Sequence, residues 1–599
     1  MKSDKIIFRS NSTKDGPMNI LSVIIQESTP SPSVEIHLPD GRVFSGPRST
    51  PIGVFLRALP EWNKPQITGA IVSGSLRELT FLIEVESDVR PVTMEDEDGS
   101  RIYRRSVTFL LEAAFDELFP DVELSVDHSL SSGAYYCEVI GRSPLTKEEL
   151  EALETRMREI VKADLAFERK IVPIAEAIDY FRSKSLVDKV QLLKYRRKDY
   201  LVLYQLKERR DYHHGYMVPS TGFLKHFALS PLGRGFAMRF PRRHSPNQLM
   251  PITDSPKLLE TFRQYSDWLE RLGIGSVGAL NDAIQAGRIA EVILVSEALH
   301  EQKIAEIAQH IVARRKESRI VLIAGPSSSG KTTFSKRLAV QLLAQGIEPF
   351  PIEMDNYFVD REHTPRDKYG NFDFETLEAL NIHGLVTDLK HVIAGEQVQL
   401  PHFNFQKGSG ETGEIVRLRH DQLIILEGIH GLNPRLLPDF SSNQTFRIYV
   451  SCLTQLNLDR QNRISTTDTR LLRRITRDAR ERGYSALQTI GRWDSVTRGE
   501  KLNIFPYQEN ADDIFNSALV HELSAIKLVV EPLLRQVPFG TAEYIESKRL
   551  LAFLDWFLPI EHDWIPNNSI LREFIGGSIL QNFKLWESAG NGAEHLNPY

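Results

Sequence analysis

The chain has 599 residues, with 73 Lys and Arg against 79 Asp and Glu, a formal net charge of −6. At about 100–200 residues per domain, that length predicts three to five domains. The composition, 41% apolar and 25% charged, excludes wholesale disorder, collagen and a coiled-coil rod. A mildly acidic chain is not held to nucleic acid by bulk charge, although a local patch remains open. Two cysteines, Cys137 and Cys452, exclude a disulfide scaffold and a cysteine-rich zinc site, and they fit a reducing compartment. No stretch approaches the roughly 18 apolar residues of a membrane span. The opening MKSDKIIFRSNSTKDG lacks the apolar run of a signal peptide. The expectation is a cytoplasmic protein without membrane contact.

In chain order, residues 1–32 read as a tail ending in the Pro/Ser run STPSPS (28–33). From Val34, VEIHLPDGRVF predicts a hairpin around Pro39-Asp40-Gly41. Further strands are expected near 67–74 and 79–87, giving a small β-rich module over 33–95. EDEDGS (95–100) is expected to be a polar boundary. Residues 96–310 mix helices and strands. TKEELEALETRMREIVKAD (146–164) is a helix that Thr146 can cap, with Leu150, Leu153, Met157 and Ile160 as its apolar stripe. A second long helix is expected over 297–316. Over 316–525 short apolar runs alternate with helices. RIVLIA (319–324), PFPIEMD (349–355), QLIILEG (422–428) and FRIYV (446–450) predict a parallel α/β sheet. Residues 526–599 read as a helical extension with a stripe at Leu550, Leu554, Phe557 and Leu558. The fold class is a multidomain assembly of α/β and α+β parts.

Gly325-Pro-Ser-Ser-Ser-Gly330-Lys331-Thr332 fits G-x-x-x-x-G-K-[ST]. The glycines let backbone N–H groups turn inward around phosphate oxygens without Cβ clashes. Gly325, Ser327, Ser328, Ser329, Gly330, Lys331, Thr332 and Thr333 are therefore the expected nucleotide contacts. Lys331 places a charge on the outer phosphates, and the Thr332 hydroxyl can ligate Mg²⁺. The apolar strand before the loop and an amphipathic helix after it, with Phe334, Leu338 and Leu342 on one face, supply the context the motif requires.

Phosphoryl transfer also needs carboxylates. Asp355 closes PFPIEMD and Glu427 closes LIILE, and ligands bind at the carboxyl ends of such strands. In DTRLLRRITRDARERG (468–483), Arg470, Arg473, Arg474 and Arg477 fall at i, i+3, i+4 and i+7, on one helical face. Alone, such a face would be read as solvated. Beside a phosphate loop it is assigned to phosphate oxygens, which guanidinium forks suit.

Together with NFDFETLEALN (371–381), VQLPHFNF (398–405), ILEGIHGLNP (425–434) and NADDIF (510–515), residues 319–520 resemble the uridine kinase and phosphoribulokinase family. The resemblance implies ATP- and Mg²⁺-dependent phosphorylation of a primary hydroxyl. It makes Asp355 the group that orients that hydroxyl, and Thr332, Asp355 and Glu427 the Mg²⁺ ligands. Asp373 and Phe403 would contact the substrate, and Lys331 with the four arginines would act on the phosphates. Gly408 and Gly410 stand where the family's pyrimidine-reading His and Arg would be. The acceptor is therefore open between a nucleoside-like molecule and a phosphosugar or other alcohol.

HLPDGRVFSG (37–46) resembles a TGS domain. DHSLSSGAYYCEV (127–139), the 146–164 helix and HHGYMVPSTGFLKHF (213–227) resemble the second additional domain of threonyl-tRNA synthetase, which hydrolyses mischarged tRNA. Arg105, Phe109, His213 and Met217 occupy the positions of that domain's hydrolytic side chains, so no editing hydrolysis is expected. The resemblance keeps open RNA binding by the N-terminal half and a role as a nucleotide-switched regulator linked to tRNA. Self-association of the chain is also left open. IPNNSILREFIGGS (565–578) is expected to pack on the kinase part.

Overall fold

The computed structural model describes residue 29 and residues 31–583, apart from 131–132, 254, 368–369, 371, 405–406 and 455. Of the tail expected over 1–32, all but residues 29, 31 and 32 lie outside the described residues. The chain then builds its first sheet in the order Val43–Pro47, Ser33–His37, Ser87–Thr93, Ile67–Val72, Ser75–Arg77. The first two strands form the antiparallel hairpin, with His37 opposite Val43 and Gly41 at φ +85° in the turn, a conformation glycine adopts without strain. The run 79–87 is not one strand. Leu82–Ile83 pairs with Thr50–Pro51, and Ser87 already belongs to the next strand, opposite Ile36. The carbonyls of Leu79 and Phe81 are taken by the N–H groups of Gly53 and Ile52, which open the helix Ile52–Arg57.

EDEDGS is not a boundary either. The helix Glu97–Leu118 begins inside it, with Glu97 and Asp98 in the first turn, where acidic groups suit the helix dipole. Gly99 meets the first sheet so closely that a Cβ there would stand 1.9 Å from the Thr93 carbonyl oxygen. This helix and Lys147–Lys162 flank an antiparallel sheet in the order Ala228–Leu232, Gly235–Arg239, Ala134–Ile140, Glu123–Leu130. Thr146 and Glu149 close a capping box on the second helix. Its stripe of Leu150, Leu153, Met157 and Ile160 is buried.

The long helix spans Ile289–Arg314, starting eight residues earlier than the pattern around 297 suggested, because Ile289, Val292 and Ile293 are also buried. It packs on the helix Lys331–Ala344, where Arg337 donates to Glu297 at 3.3 Å and to Glu301 at 2.7 Å. The largest core joins Phe181, Ile304, Ile323, Leu338, Ile475 and Leu550. Packing therefore runs through residues 310–316, and the helix Glu522–Arg535 runs through residue 525.

The central sheet is parallel throughout, in the order Pro349–Glu353, Leu423–Glu427, Ile320–Ala324, Thr445–Ser451, Asp513–Asn516. All of Ile320–Ala324 is buried, as fits a strand covered on both faces. The strand at 349 stops at Glu353, so Asp355 does not close it. Asp355 sits two residues beyond, in the 3-10 turn Met354–Tyr357. Among the described residues no helix is long and apolar enough to cross a membrane.

Candidate active site

The strand Ile320–Ala324 runs into Gly325, whose Cβ, if it had one, would lie 1.9 Å from the Val450 carbonyl oxygen. Gly330 is glycine for two reasons: its φ is +86°, and a Cβ would meet Ile570 at 2.7 Å. The helix Lys331–Ala344 starts there, anchored by Phe334, Leu338 and Leu342, all fully buried. Its positive end and its first-turn N–H groups, which have no partner within the helix, therefore face the loop. Lys331 Nζ lies 3.3 Å from the Pro326 carbonyl oxygen.

Thr332 Oγ1 donates to Glu427 Oε1 at 3.0 Å, across 95 residues of sequence. Burial pushes the Glu427 carboxyl up to about 7, against the pull of Lys331 and with the help of Glu573 and Glu353. Burial likewise raises Asp355, opposed by Lys331, Arg482 and Arg477. Glu353 is raised by burial and by Asp355. Lys331 thus acts on both Glu427 and Asp355, and the Thr332 hydroxyl adjoins Glu427. Hard oxygen donors with excess negative charge fit a divalent cation such as Mg²⁺.

The arginines lie on the helix Thr466–Glu481. Arg470 donates to the Ser327 carbonyl at 2.9 Å and pairs with Glu500. Arg474 donates to the Ser327 hydroxyl at 2.8 Å. Arg473 has no exposed surface. Its guanidinium is engaged by Glu522 at 2.9 and 2.7 Å and by the Ser517 carbonyl at 2.9 Å, with the Phe574 ring 4.8 Å away. Arg473 therefore ties the helix to the loop from within. Arg477 pairs with Asp478 at 3.1 Å while its charge acts on Asp355.

On the acceptor side, Phe403 is buried in the hairpin Gln397–Asn404/Ser409–Arg417. Its N–H donates to Asn356 Oδ1 at 3.2 Å and its ring meets Phe358 edge-on, which sets it beside the Asp355 turn. Asp373 Oδ1 accepts from the Glu375 N–H at 3.2 Å. Gly408 has φ +74°, and a Cβ there would stand 2.7 Å from the Arg361 guanidinium carbon; the Gly410 N–H donates to Asp360 at 2.8 Å. The turn at 360–363 fills the space those two glycines leave.

Sequence reasoning missed three carboxylates. Glu500, unexposed on the helix Ala486–Asn503, accepts from the Ser327 N–H at 2.8 Å. Glu573 accepts from the Thr333 N–H at 3.2 Å and the Thr333 hydroxyl at 2.8 Å. Glu375 is pushed up to about 7 by burial and by Glu500, against Arg474 and Lys331. One signal was readable: Gly499, a glycine inside a helix, where a Cβ would lie 2.3 Å from that of Glu375.

In the N-terminal half, Phe109 and Met217 are buried packing residues, Arg105 donates to the Tyr216 carbonyl, and His213 lies 3.7 Å from Glu112. Two ionic links, one fully buried and one partly buried, reach from this half to the arginine helix and the loop before it. Lys189 lies 3.0 Å from both Asp211 and Asp459, and Tyr212 donates to Asp459. Arg101 pairs with Glu546 at 2.7 Å, while Arg549 joins Glu546 at 2.6 Å and Asp468 at 2.8 Å.

Residues 320–524 match the family model described as Phosphoribulokinase / Uridine kinase family. The N-terminal region is similar to threonine–tRNA ligases: 34% identical over 209 residues to that of Coxiella burnetii, covering 34% of this chain and 31% of the ligase, and 33% identical over 210 residues to that of Lawsonia intracellularis, covering 34% and 32%. The chain spans about a third of the length of these curated relatives. Among solved structures, a possible uridine kinase from Bacillus stearothermophilus is 20% identical, with TM-score 0.26, covering 36% of this chain and 98% of that one. The D-glycerate 3-kinase from Cryptococcus neoformans var. grubii is 14% identical, with TM-score 0.25, covering 35% and 89%. Residues 320–524 are thus a P-loop kinase domain of the phosphoribulokinase/uridine kinase family, carried behind a region similar to threonine–tRNA ligase.

Proposed function

We propose that the protein is an ATP- and Mg²⁺-dependent phosphotransferase that phosphorylates a hydroxyl of a nucleoside-like small molecule in the cytoplasm. The observation that carries this reading is the junction of Thr332 with Glu427 at the mouth of the phosphate loop. The loop amides and Lys331 bind and orient the phosphates. Thr332, Glu427 and Asp355 hold the cation, which when bound neutralises charge on the phosphate oxygens. Asp355 orients the acceptor hydroxyl and takes its proton. Asp373 and Phe403 hold the rest of the acceptor. Arg470, Arg474 and Arg477 act on the transferring phosphoryl group, with Arg473 fixing their helix. The test is ADP production from ATP and Mg²⁺ over a panel of nucleosides, phosphosugars and simple alcohols, with Lys331→Ala as control. Turnover of a nucleoside that the control loses supports the reading; turnover of a phosphosugar alone moves the acceptor class; equal turnover in the control removes the site assignment.

A second reading is favoured by the ligase-like region and the two ionic links to the arginine helix and the loop before it. In it the N-terminal half binds RNA and adjusts the kinase. RNA retention that falls steeply with salt would support it, and no retention at low salt would remove it.

A further inference from the structure

The run IPNNSILREFIGGS has so far had only a packing role. The run reaches the phosphate loop at two points around its short helix Arg572–Ile575: Ile570 sits against Gly330, and Glu573 meets Thr333. The first-turn N–H groups of a helix that follows this kind of loop are donors offered to phosphates. Here one of them is already taken. The Thr333 N–H donates to Glu573 Oε2 at 3.2 Å, and the Thr333 hydroxyl adds a second bond at 2.8 Å.

The backbone that carries Glu573 is fixed. Arg480 of the arginine helix donates to the carbonyls of Glu573 and Phe574, both at 2.7 Å. Lys336 donates to the Leu580 and Gln581 carbonyls at 2.7 and 3.2 Å. Ile570, Leu571 and Phe574 are buried, and Ile570 sits against Gly330. With its main chain pinned, the Glu573 side chain is the part that can leave Thr333 by rotation.

We propose that Glu573 gates the nucleotide site: its carboxylate holds a phosphate seat of the loop and must swing off Thr333 when a nucleotide phosphate takes that N–H. The proposal deepens the phosphoryl-transfer reading and rests on it. One N–H cannot serve a carboxylate and a phosphate together, and two anions at that distance repel. The gate therefore weakens nucleotide binding, and through Arg480 it is set by the same helix that carries the phosphate-facing arginines.

The test is calorimetric titration of the full-length protein with ADP, and with ATP plus Mg²⁺, for wild type, Glu573→Gln and Glu573→Asp. Thermal unfolding without nucleotide is measured alongside. Removing the charge is expected to tighten nucleotide binding about three- to tenfold, while the nucleotide-free Tm falls because Thr333 keeps only a neutral amide acceptor in place of the carboxylate. Glu573→Asp, which keeps the charge but draws it one methylene back, should fall between and guards against a glutamine variant that folds poorly. A merely structural carboxylate would lower Tm and affinity together. Equal or weaker nucleotide binding in both folded variants overturns the gate alone. No nucleotide binding by any of the proteins, wild type included, overturns the phosphoryl-transfer reading and the gate with it.

Discussion

The two halves of the molecule treat their polar side chains in opposite ways. Around the phosphate loop, Lys331, Thr332, Asp355, Glu427 and the arginines come from four separate segments, and burial raises the carboxyls there. In the ligase-like half, Phe109 and Met217 are core residues and Arg105 is held by a backbone carbonyl. Chemistry needs groups that are held in place yet charged at a cost. A scaffold needs groups that are satisfied. By that measure the polar groups around the loop are held under charge, while the matching positions of the N-terminal half are held in packing.

The largest effect should come from Asp355→Asn. Phosphoryl transfer is expected to fall about 10³-fold, the size of losing a proton acceptor, with ATP affinity within about threefold of wild type by calorimetry. Surviving transfer would erase the contrast at its active end. Next is the link between the halves. Asp459→Ala leaves Lys189 with one of its two buried acidic partners and should cost about 3–5 kcal/mol in denaturant unfolding. A loss under about 1 kcal/mol would mean that the halves are tied elsewhere.

Met217→Ala should cost roughly 2–3 kcal/mol as a cavity in the ligase-like core. The wild-type protein should leave mischarged tRNA intact over the course of a deacylation assay, and hydrolysis there would reverse the comparison. The smallest effect concerns Glu375. Its carboxyl titrates at about 7 in the fold against an ordinary 4.5, so the protonated form is the one the fold favours. Its contribution is complete below about pH 4.5 and is lost as pH rises through about 7. Wild type should therefore lose roughly 2–2.5 kcal/mol between pH 5 and 8 relative to Glu375→Gln. Equal slopes in the two unfolding series would refute the buried setting of that carboxyl.

What could be read from the chain was local. The loop motif, the capping box at Thr146 and Glu149, and the stripe Leu150, Leu153, Met157, Ile160 lie within a few residues of one another, where spacing fixes geometry. The errors arose where distant backbone intervened. Helix N–H groups claimed the carbonyls of 79 and 81, and a strand expected to reach Asp355 ended two residues short. Sequence spacing put four arginines on one face, but it could not tell the buried Arg473, matched by Glu522, from Arg474 on the Ser327 hydroxyl.

The chain by itself determined that a glycine-lined loop would precede a helix, with a lysine and a threonine at its mouth, because those preferences act through neighbouring dihedrals. Only the tertiary structure decided what faces the loop. Glu500 and Glu573 arrive from 173 and 240 residues away. Their presence follows from which helices share the core, and no local pattern encodes that.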